Sequence, residues 1–416
     1  MDLQQQVNSG KYFLMAGFMI YLLKSTKRQA PGAKPPRPRA RMKSMKVIFM
    51  LLVVLGLLIL SCRNEKVFHE AVVNNPEFIP DSAFVSFENL SSPKFRTLRE
   101  KYQLDTVFHG ERDEFKRILR LRDWISRVIK IDDYGPYAGD GSVESILDEA
   151  LKGKGFHCGH YTAVQNAVAN AYGYVTRCLL ADTGVPVDYM VGGGHHAINE
   201  TWINSYHKWF LSDAKYNYHF EKNGIPLSAL EIRDEYLKNK AADIVLVKGI
   251  DRIPTAVYPG LNISKEEFAR VYTWLSWGIH NNRYSNWPKT NTDLMIMYED
   301  DYFKNHTWLW DGKPHWAYHT KFMHLVTNRK VIEWTPNSIT ASVRIEANLA
   351  HIELRSITPN LRTYQMKELP DGDWKDVSNA VEVELKKDEN QIVFRTVNLA
   401  DVSGPEHRVV IEAGKD

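Results

Sequence analysis

The strongest constraint on this chain is the segment KGKGFHCGHYTAVQNAVANAYGY, in which Cys158 opens a helical pattern. Apolar residues follow Cys158 with helical spacing, and Gly173 stands where such a helix would end. A cysteine in the first turn of a helix lies in a partially positive field, beside N–H groups that lack helical partners. Both features favour the thiolate, and the same N–H groups, that of Gly159 among them, can stabilise an oxyanion. The sequence therefore predicts a reactive cysteine.

A thiolate nucleophile needs a base, and the base needs an orienting partner. The segment GGGHHAINETWINSYHKWFLSDAKYN predicts two antiparallel strands over residues 196–203 and 208–213, joined by a short turn. With Ile203 opposite Lys208, the numbers of paired residues sum to 411. Asp213 then lies one diagonal step from His196, and a slip of two residues would place the two directly opposite.

Strand parity selects the histidine. In either register His196 and Asp213 share one face of the sheet, whereas His195 points to the other face. We therefore predict Cys158 as nucleophile, His196 as base and Asp213 as orienter. Glu200 shares the face of His196 and could serve as a second polar partner.

Three short motifs carry a resemblance to a known family. Cys158-Gly159-His160-Tyr161, then His196-Ala197, then Trp209-x3-Asp213 resemble the transglutaminase-like superfamily. Its members carry Cys, His and Asp in this order, with the cysteine on a helix and the other two on adjacent strands. The resemblance covers roughly residues 110–220. It implies an α+β fold with a papain-like core, in which the helix that carries the cysteine packs on an antiparallel sheet.

The resemblance also implies the chemistry. The family includes protein cross-linking enzymes, cysteine peptidases, peptide deglycosylases and inactive members. We expect a cysteine hydrolase that acts on peptide or isopeptide amide bonds through a thioester, with a protein, peptide or glycopeptide substrate and no cofactor. The alternatives are an amine-transferring transglutaminase, a glycopeptide amidase, or an inactive surface protein that binds glycan or peptide. Ile198 and Ala214 replace the aromatic residue and the proline that family members often have there.

Further residues near the motifs are weaker candidates. His157 could tune the thiol, and Gln165 could contact substrate, so both join Gly159 as substrate or oxyanion candidates. Several histidines lie close to Cys158 in sequence, but the segment lacks a close cysteine pair or a His-x3-His helix pair, and we expect no metal site. Cys178 alternates within a predicted strand and is interpreted as a core thiol.

The rest of the chain divides by pattern. Amphipathic spacing predicts helices over residues 113–129, 142–151 and 264–279, the last with Ser264 and Glu267 as a capping box. Residues 219–333 are expected to be mostly helical or irregular. Short alternating runs from about residue 337 predict a small all-β sandwich. We therefore expect a targeting segment at 1–61, a tether at 62–95, a transglutaminase-like domain with a helical extension at 96–335, and the sandwich at 336–416.

Seven of the eleven tryptophans lie between Trp274 and Trp334. A core packed with large rings explains this cluster, and an aromatic cleft for sugars or peptide side chains is the alternative. Trp274 and Trp277 stand three apart in the predicted helix, a spacing that favours the core.

The N-terminal region is interpreted as a targeting segment. Residues 47–60 are an unbroken apolar run, too short for a bilayer span but suited to a signal peptide. The run ends in Ile59-Leu60-Ser61-Cys62, which resembles a bacterial lipoprotein box with Cys62 as the lipidated residue; a plain signal peptide or a short anchor is the alternative. We expect anchoring to a membrane of the bacterial cell envelope, facing the periplasm or the exterior. Residues 1–41 are interpreted as an over-extended start, and a real membrane-proximal extension is the alternative.

Charge is distributed unevenly between this region and the body. The region before Cys62 has ten Lys/Arg and one acidic residue, which leaves 43 basic and 49 acidic residues for the rest of the chain. The body is therefore mildly acidic, and we expect no nucleic-acid partner.

Overall fold

The computed structural model describes residues 68–77, 86–185, 194–258, 262–287, 295–310, 313–314 and 323–414. The predicted signal segment, including Cys62, lies outside the described residues.

Helices in the described part of the chain are α1 (Lys94–Lys101), α2 (Glu114–Val128), α3 (Val143–Leu151), α4 (Cys158–Asn170), α5 (Ala229–Asn239), α6 (Lys265–Ala269), α7 (Asp301–Asn305) and α8 (Arg329–Ile332). Short 3₁₀ turns cover Leu104–Phe108, Asn204–Tyr206 and Arg270–Thr273. Two of the predicted helices are confirmed, as α2 and α3, and each begins at a capping side chain. Asp113 accepts from the Lys116 N–H, and Ser142 accepts from the Ser145 N–H.

Strands in the same part of the chain are β1 (Phe68–Val73), β2 (Ser86–Phe87), β3 (Lys130–Ile131), β4 (Gly155–Phe156), β5 (Thr176–Asp182), β6 (His195–Ile203), β7 (Lys208–Ser212), β8 (Tyr218–Lys222), β9 (Ile225–Pro226), β10 (Val245–Lys248), β11 (Ile253–Thr255), β12 (Val257–Tyr258), β13 (Ile263–Ser264), β14 (Trp274–Gly278), β15 (His280–Asn281), β16 (Met295–Tyr298), β17 (Leu309–Trp310), β18 (Lys313–Pro314), β19 (Met323–Val326), β20 (Thr340–Glu346), β21 (Leu349–Arg355), β22 (Leu361–Glu368), β23 (Lys375–Val377), β24 (Ala380–Glu384), β25 (Glu389–Asn398) and β26 (His407–Ala413).

A six-stranded sheet lies at the centre, in the order β19-β16-β14-β5-β6-β7. Its middle strands pair antiparallel, and β16 pairs parallel with β19. One buried cluster joins Leu179, Ile198 and Trp202 of the sheet to helix α5 and to the segments after it. A second cluster joins Ile203 and Phe210 to helices α1 to α4. The sheet is therefore covered on both faces, and the α+β fold with a cysteine-bearing helix on an antiparallel sheet is confirmed.

The C-terminal region forms two antiparallel sheets that share a third core. The three-stranded sheet, β20-β21-β24, contributes Ile352 and Leu354, and the five-stranded sheet, β1-β26-β25-β22-β23, contributes Phe394 and Ile411. Alternating strands bury one face each, which explains the period-two pattern of this region. The predicted β-sandwich is confirmed.

The segment predicted to be a tether is partly structured. Strand β1 pairs with β26, with Val72 opposite Val410. Strand β2 pairs with β15, and helix α1 begins at Lys94, before the predicted domain start at residue 96. These are contacts between residues far apart in sequence, so no local pattern could predict them.

The predicted helix over residues 264–279 is wrong beyond its first turns. Its capping box is present, because Ser264 Oγ accepts from the Glu267 N–H at 3.1 Å and Glu267 Oε2 accepts from the Ser264 N–H at 3.0 Å. The helix ends at Ala269, a 3₁₀ turn follows, and residues from Trp274 form strand β14. Pairing with β5 in a fully covered sheet outweighs local helical spacing.

The region after residue 219 was predicted to be mostly helical or irregular, but its described part contains many short strands. The sequence also predicted that the clustered tryptophans form part of the core. Trp274, Trp277, Trp308 and Trp334 are all buried. A core role is confirmed for these four side chains. In the described part of the chain, no helix is long and apolar enough to cross a bilayer.

The pairing of β1 with β26 predicts that Phe68 stabilises the sandwich. Phe68 is 7% exposed in the third core, whereas Val72 of the same strand is 58% exposed. We expect Phe68→Ala to lower the free energy of unfolding by about 3 kcal/mol, because it leaves a cavity in that core. Val72→Ala, the matched control, should change it by less than about 0.5 kcal/mol. Urea unfolding measures both, and equal effects would show that this segment is only a tether.

Candidate active site

Cys158 is the first residue of α4, and His157 caps this helix. The Nδ1 atom of His157 accepts from the Gly159 N–H at 3.0 Å. The His157 carbonyl oxygen accepts from the His160 N–H at 3.0 Å and from the Tyr161 N–H at 3.4 Å. His157 thereby engages two of the amides that a helix N-terminus leaves without helical partners, those of Gly159 and His160, and its bond to Tyr161 is the first regular bond of the helix. The Cys158 N–H is the amide of this turn that His157 does not engage.

This arrangement corrects one predicted role and agrees with another. Gly159 was predicted as a substrate or oxyanion candidate, but its N–H is held by the cap. His157 was predicted to tune the thiol, and its ring does hydrogen-bond the thiol as well as cap the helix end. The cysteine itself lies where the sequence places it, at the positive end of the helix dipole.

The pKa of the Cys158 thiol is lowered from its ordinary 9.0 to about 5. Burial alone would raise this pKa, and hydrogen bonds outweigh it. They come from His157, from His196 and from the Ala197 backbone N–H, and the charge of His196 adds to them. Cys158 is therefore a thiolate at neutral pH.

His196 is the partner that carries the opposite charge. Its side chain is buried, and Nε2 lies 3.0 Å from Asp213 Oδ2. Burial alone would lower the pKa of His196, but the charge and hydrogen bond of Asp213 and those of the Cys158 thiolate raise it to about 9. Between these two pKa values the site holds a thiolate–imidazolium pair. Because Nε2 faces Asp213, Nδ1 is the nitrogen that can face the sulfur.

The predicted register is confirmed. Trp202 pairs with Trp209 and Ile203 with Lys208, so the numbers of paired residues sum to 411. Asp213 lies just past β7 and one diagonal step from His196, as expected. His195, the residue before His196, pairs in register with Asp182 of β5.

Asp213 is fixed by its backbone as well as by its side chain. Its N–H and carbonyl groups both bond Tyr218 across a tight turn, each at 3.1 Å. Its Oδ1 accepts from the Tyr216 N–H at 3.1 Å, which leaves Oδ2 for His196. The carboxylate therefore has one orientation toward the imidazole.

Arg122 of α2 supports this turn, and sequence reasoning missed it. The side chain is 1% exposed and donates to Asn217 Oδ1 at 2.9 Å, to the Tyr218 carbonyl at 3.1 Å and to the Gly249 carbonyl at 3.2 Å. It also bonds His219 Nδ1 at 3.0 Å. One signal was present in the sequence, because Arg122 lies four residues after the core residue Ile118 on the apolar face of the helix.

Two other predictions are corrected by burial. Glu200 is occupied by partners other than His196, because its Oε2 accepts from Arg177 at 2.7 Å and from Trp277 Nε1 at 2.8 Å, deep in the sheet core. Gln165 is 4% exposed within α4 and does not line the cavity beside Cys158. His160 is half-buried against the rings of Tyr137 and His157.

A cavity of about 210 Å³ adjoins the nucleophile. Its walls include Gly159 and Thr162 of α4 and Ala197 of β6. Cys178, interpreted from the sequence as a core thiol, is half-buried and lines this cavity as well. Trp287 also lines it, so one tryptophan of the aromatic cluster does face a cleft.

The described residues contain no group of three His, Cys, Asp or Glu side chains arranged to hold a metal ion. The histidines around Cys158 instead contact one another and aromatic rings, with the ring centroids of His157 and His160 4.1 Å apart.

The charge pair predicts how Cys158 reacts with iodoacetamide, an alkylating agent that requires the thiolate. With the Cys158 pKa lowered to about 5, the labelling rate should reach half its plateau near pH 5, against about pH 9 for an ordinary cysteine. His196→Ala should move this midpoint upward by more than one unit, because it removes the charge and a hydrogen bond. Peptide mass spectrometry assigns the label to Cys158. Cys178→Ser, the control, should leave the midpoint in place, and a wild-type midpoint above pH 8 would contradict the charge pair.

Comparison with known proteins agrees with this geometry. A family model described as the transglutaminase-like superfamily matches residues 103–214. The crystal structure of red sea bream transglutaminase is similar over 72% of this chain and 69% of that chain, at 10% sequence identity and a TM-score of 0.22, too low to carry an argument. No curated protein sequence matches the chain. The matched residues include Cys158, His196 and Asp213, and residues 103–214 of this protein form a transglutaminase-like domain.

Proposed function

We propose that this protein is a cysteine hydrolase that cleaves amide bonds, of peptide or isopeptide type, through a thioester on Cys158. One observation carries the proposal: Cys158, with its pKa lowered to about 5, and His196, with its pKa raised to about 9, form a charge pair beside Asp213. A structural cysteine has no need of a buried imidazolium, whereas a nucleophile does.

The geometry supports the following acylation step. The Cys158 thiolate attacks the amide carbonyl carbon, and the negative charge moves to the carbonyl oxygen. The Cys158 N–H is suited to stabilise this oxyanion, because the other amides of the turn are held by His157. Collapse of the intermediate breaks the C–N bond, and His196 gives its proton to the leaving amine. The products are a free amine and a thioester.

The thioester is resolved in a second step. His196, now neutral, takes a proton from water as the water oxygen attacks the thioester carbonyl. The C–S bond breaks, a carboxylic acid leaves, and the thiolate–imidazolium pair forms again. An amine in place of water would give transfer instead of hydrolysis. Hydrolysis is favoured because water is present in vast excess over any free amine.

A trapping experiment tests this proposal. The full chain is incubated with a library of unmodified peptides, with and without cadaverine, and analysed by mass spectrometry. We expect a hydroxylamine-sensitive acyl adduct on Cys158 and peptides cleaved at amide bonds. The rate should fall below pH 5, where Cys158 gains a proton, and above pH 9, where His196 loses one.

Variants and the type of product distinguish the proposed hydrolase from the alternatives. Cys158→Ala should abolish both adduct and cleavage, whereas Arg112→Ala, at an exposed site on the loop before α2, should retain them. If cadaverine adducts of the peptides predominate over cleaved peptides, the reaction is amine transfer and not hydrolysis. Release of glycan from glycopeptides alone would indicate a glycopeptide amidase. An unreactive wild-type protein whose Cys158 still labels normally would indicate a binding protein.

We also propose that the protein is lipid-anchored in the bacterial cell envelope through Cys62. The support is the sequence alone, the apolar run followed by Ile59-Leu60-Ser61-Cys62. After expression in bacteria, mass spectrometry of the N-terminal peptide should find Cys62 as the first residue, with a lipid mass attached. Cys62→Ser should remove that species, and Ser61→Ala, which keeps a small residue before the cysteine, should not. An unmodified Cys62 within a longer peptide would refute the anchor.

A further inference from the structure

Cys158 does not itself line the cavity, but two residues of the cavity wall contact Cys158. Thr162, in its wall, donates from Oγ1 to the Cys158 carbonyl at 2.9 Å. Ala197, also in the wall, donates its N–H to the Cys158 sulfur. A group that is joined to the sulfur as a thioester would therefore lie next to the wall of this cavity, at Ala197.

The size of the cavity limits what it can hold. Whole small-molecule ligands occupy pockets of about 300–1,000 Å³. The space here is about 210 Å³ and suits one large side chain. Its wall is formed largely by apolar groups, among them Ala163, Leu180, Trp287 and Met295.

The described wall holds its shape through buried hydrogen bonds. Asn166 donates to Glu88 Oε1 at 3.1 Å and to the Asn281 carbonyl at 3.2 Å. Asn281 Oδ1 in turn accepts from the Cys178 N–H at 2.8 Å. Because these groups are committed to one another, the cavity is preformed.

The charged side chain among the described residues that line the cavity is positive. None of the described residues that line it is Asp or Glu, whereas Arg283 lines it and is exposed to solvent. Arg283 lies with its guanidinium carbon 5.3 Å from the centroid of the Trp287 ring, and within the described residues no carboxylate lies within ion-pair distance of it. An ammonium group inside the cavity would meet no carboxylate among the described residues that line it. A carboxylate at the opening would meet Arg283.

From these observations we infer the substrate class of the proposed hydrolase. The cavity takes an uncharged apolar side chain of the acyl-donor residue, the one whose carbonyl forms the thioester, and Arg283 binds a carboxylate on the residue before it. This inference rests on the proposed function and adds the selectivity to it.

The first test measures cleavage of quenched fluorescent peptides by the full chain. Peptides with Leu or Met as the acyl residue should have kcat/KM values at least tenfold above those with Lys or Asp. A preceding Glu should be preferred to a preceding Lys. Arg283→Glu should reduce the preference for Glu about fivefold. Arg112→Glu, at an exposed site on the loop before α2, is the charge-matched control and should not.

A cavity-filling variant tests the side-chain site separately. Ala163→Phe should lower kcat/KM for Leu peptides by at least tenfold while it retains cleavage of Ala peptides. Iodoacetamide labelling of Cys158 with the wild-type midpoint verifies that the variant is folded and its charge pair intact. An equal loss for all peptides would overturn the inference.

A second test does not need catalysis and separates failure of the inference from failure of the proposed function. In Cys158→Ala, the half-buried Cys178 reports on the cavity through its alkylation rate. Acetyl-Glu-Leu-amide should slow labelling of Cys178, and acetyl-Glu-Lys-amide should not. Protection without cleavage would refute the hydrolase and retain the cavity. Absence of protection, or equal protection by both peptides, would overturn the inference even if cleavage occurs.

Discussion

The antiparallel pairing of β6 with β7 is the constraint on which the site depends. Both strands lie in a sheet whose two faces are buried, with Ile198 and Trp202 in one core and Ile203 in the other. A slip of one residue would exchange these side chains between the cores and turn His196 away from Asp213. Register, fold stability and alignment of the imidazole are therefore determined by the same contacts.

The second determinant is the balance between burial and hydrogen bonding at Cys158. Burial opposes a thiolate and also opposes an imidazolium, so neither charge would persist alone. Together, and with Asp213 behind His196, the two charges stabilise each other. His157 contributes from the helix end, where its ring bonds the thiol and caps the Gly159 N–H. The result is a nucleophile that is charged over the neutral pH range.

Buried ionic groups also hold the scaffold around the site. Arg177 and Glu200, each with a side chain 1% exposed, pair across β5 and β6, and Glu200 further accepts from the Ala229 N–H at the start of α5. Removal of either partner would leave an uncompensated charge in the core, at a cost of about 3–5 kcal/mol. Arg122, also buried, supports the turn after Asp213 through hydrogen bonds to Asn217 and to the Tyr218 carbonyl. Two buried arginines, Arg177 and Arg122, thus support the geometry of the candidate site.

The sequence by itself determined the elements whose signals are local. Helical spacing after Cys158, alternation around His196 and the turn before Lys208 predict the helix, the strands and the 411 register, because neighbours in sequence carry that information. Only the tertiary structure decided the pairing of β1 with β26, the conversion of the segment from Trp274 into a strand, the burial of Glu200 by Arg177, and the support of Asp213 by Arg122. Each of these depends on residues distant in the chain, whose packing outweighs local preference.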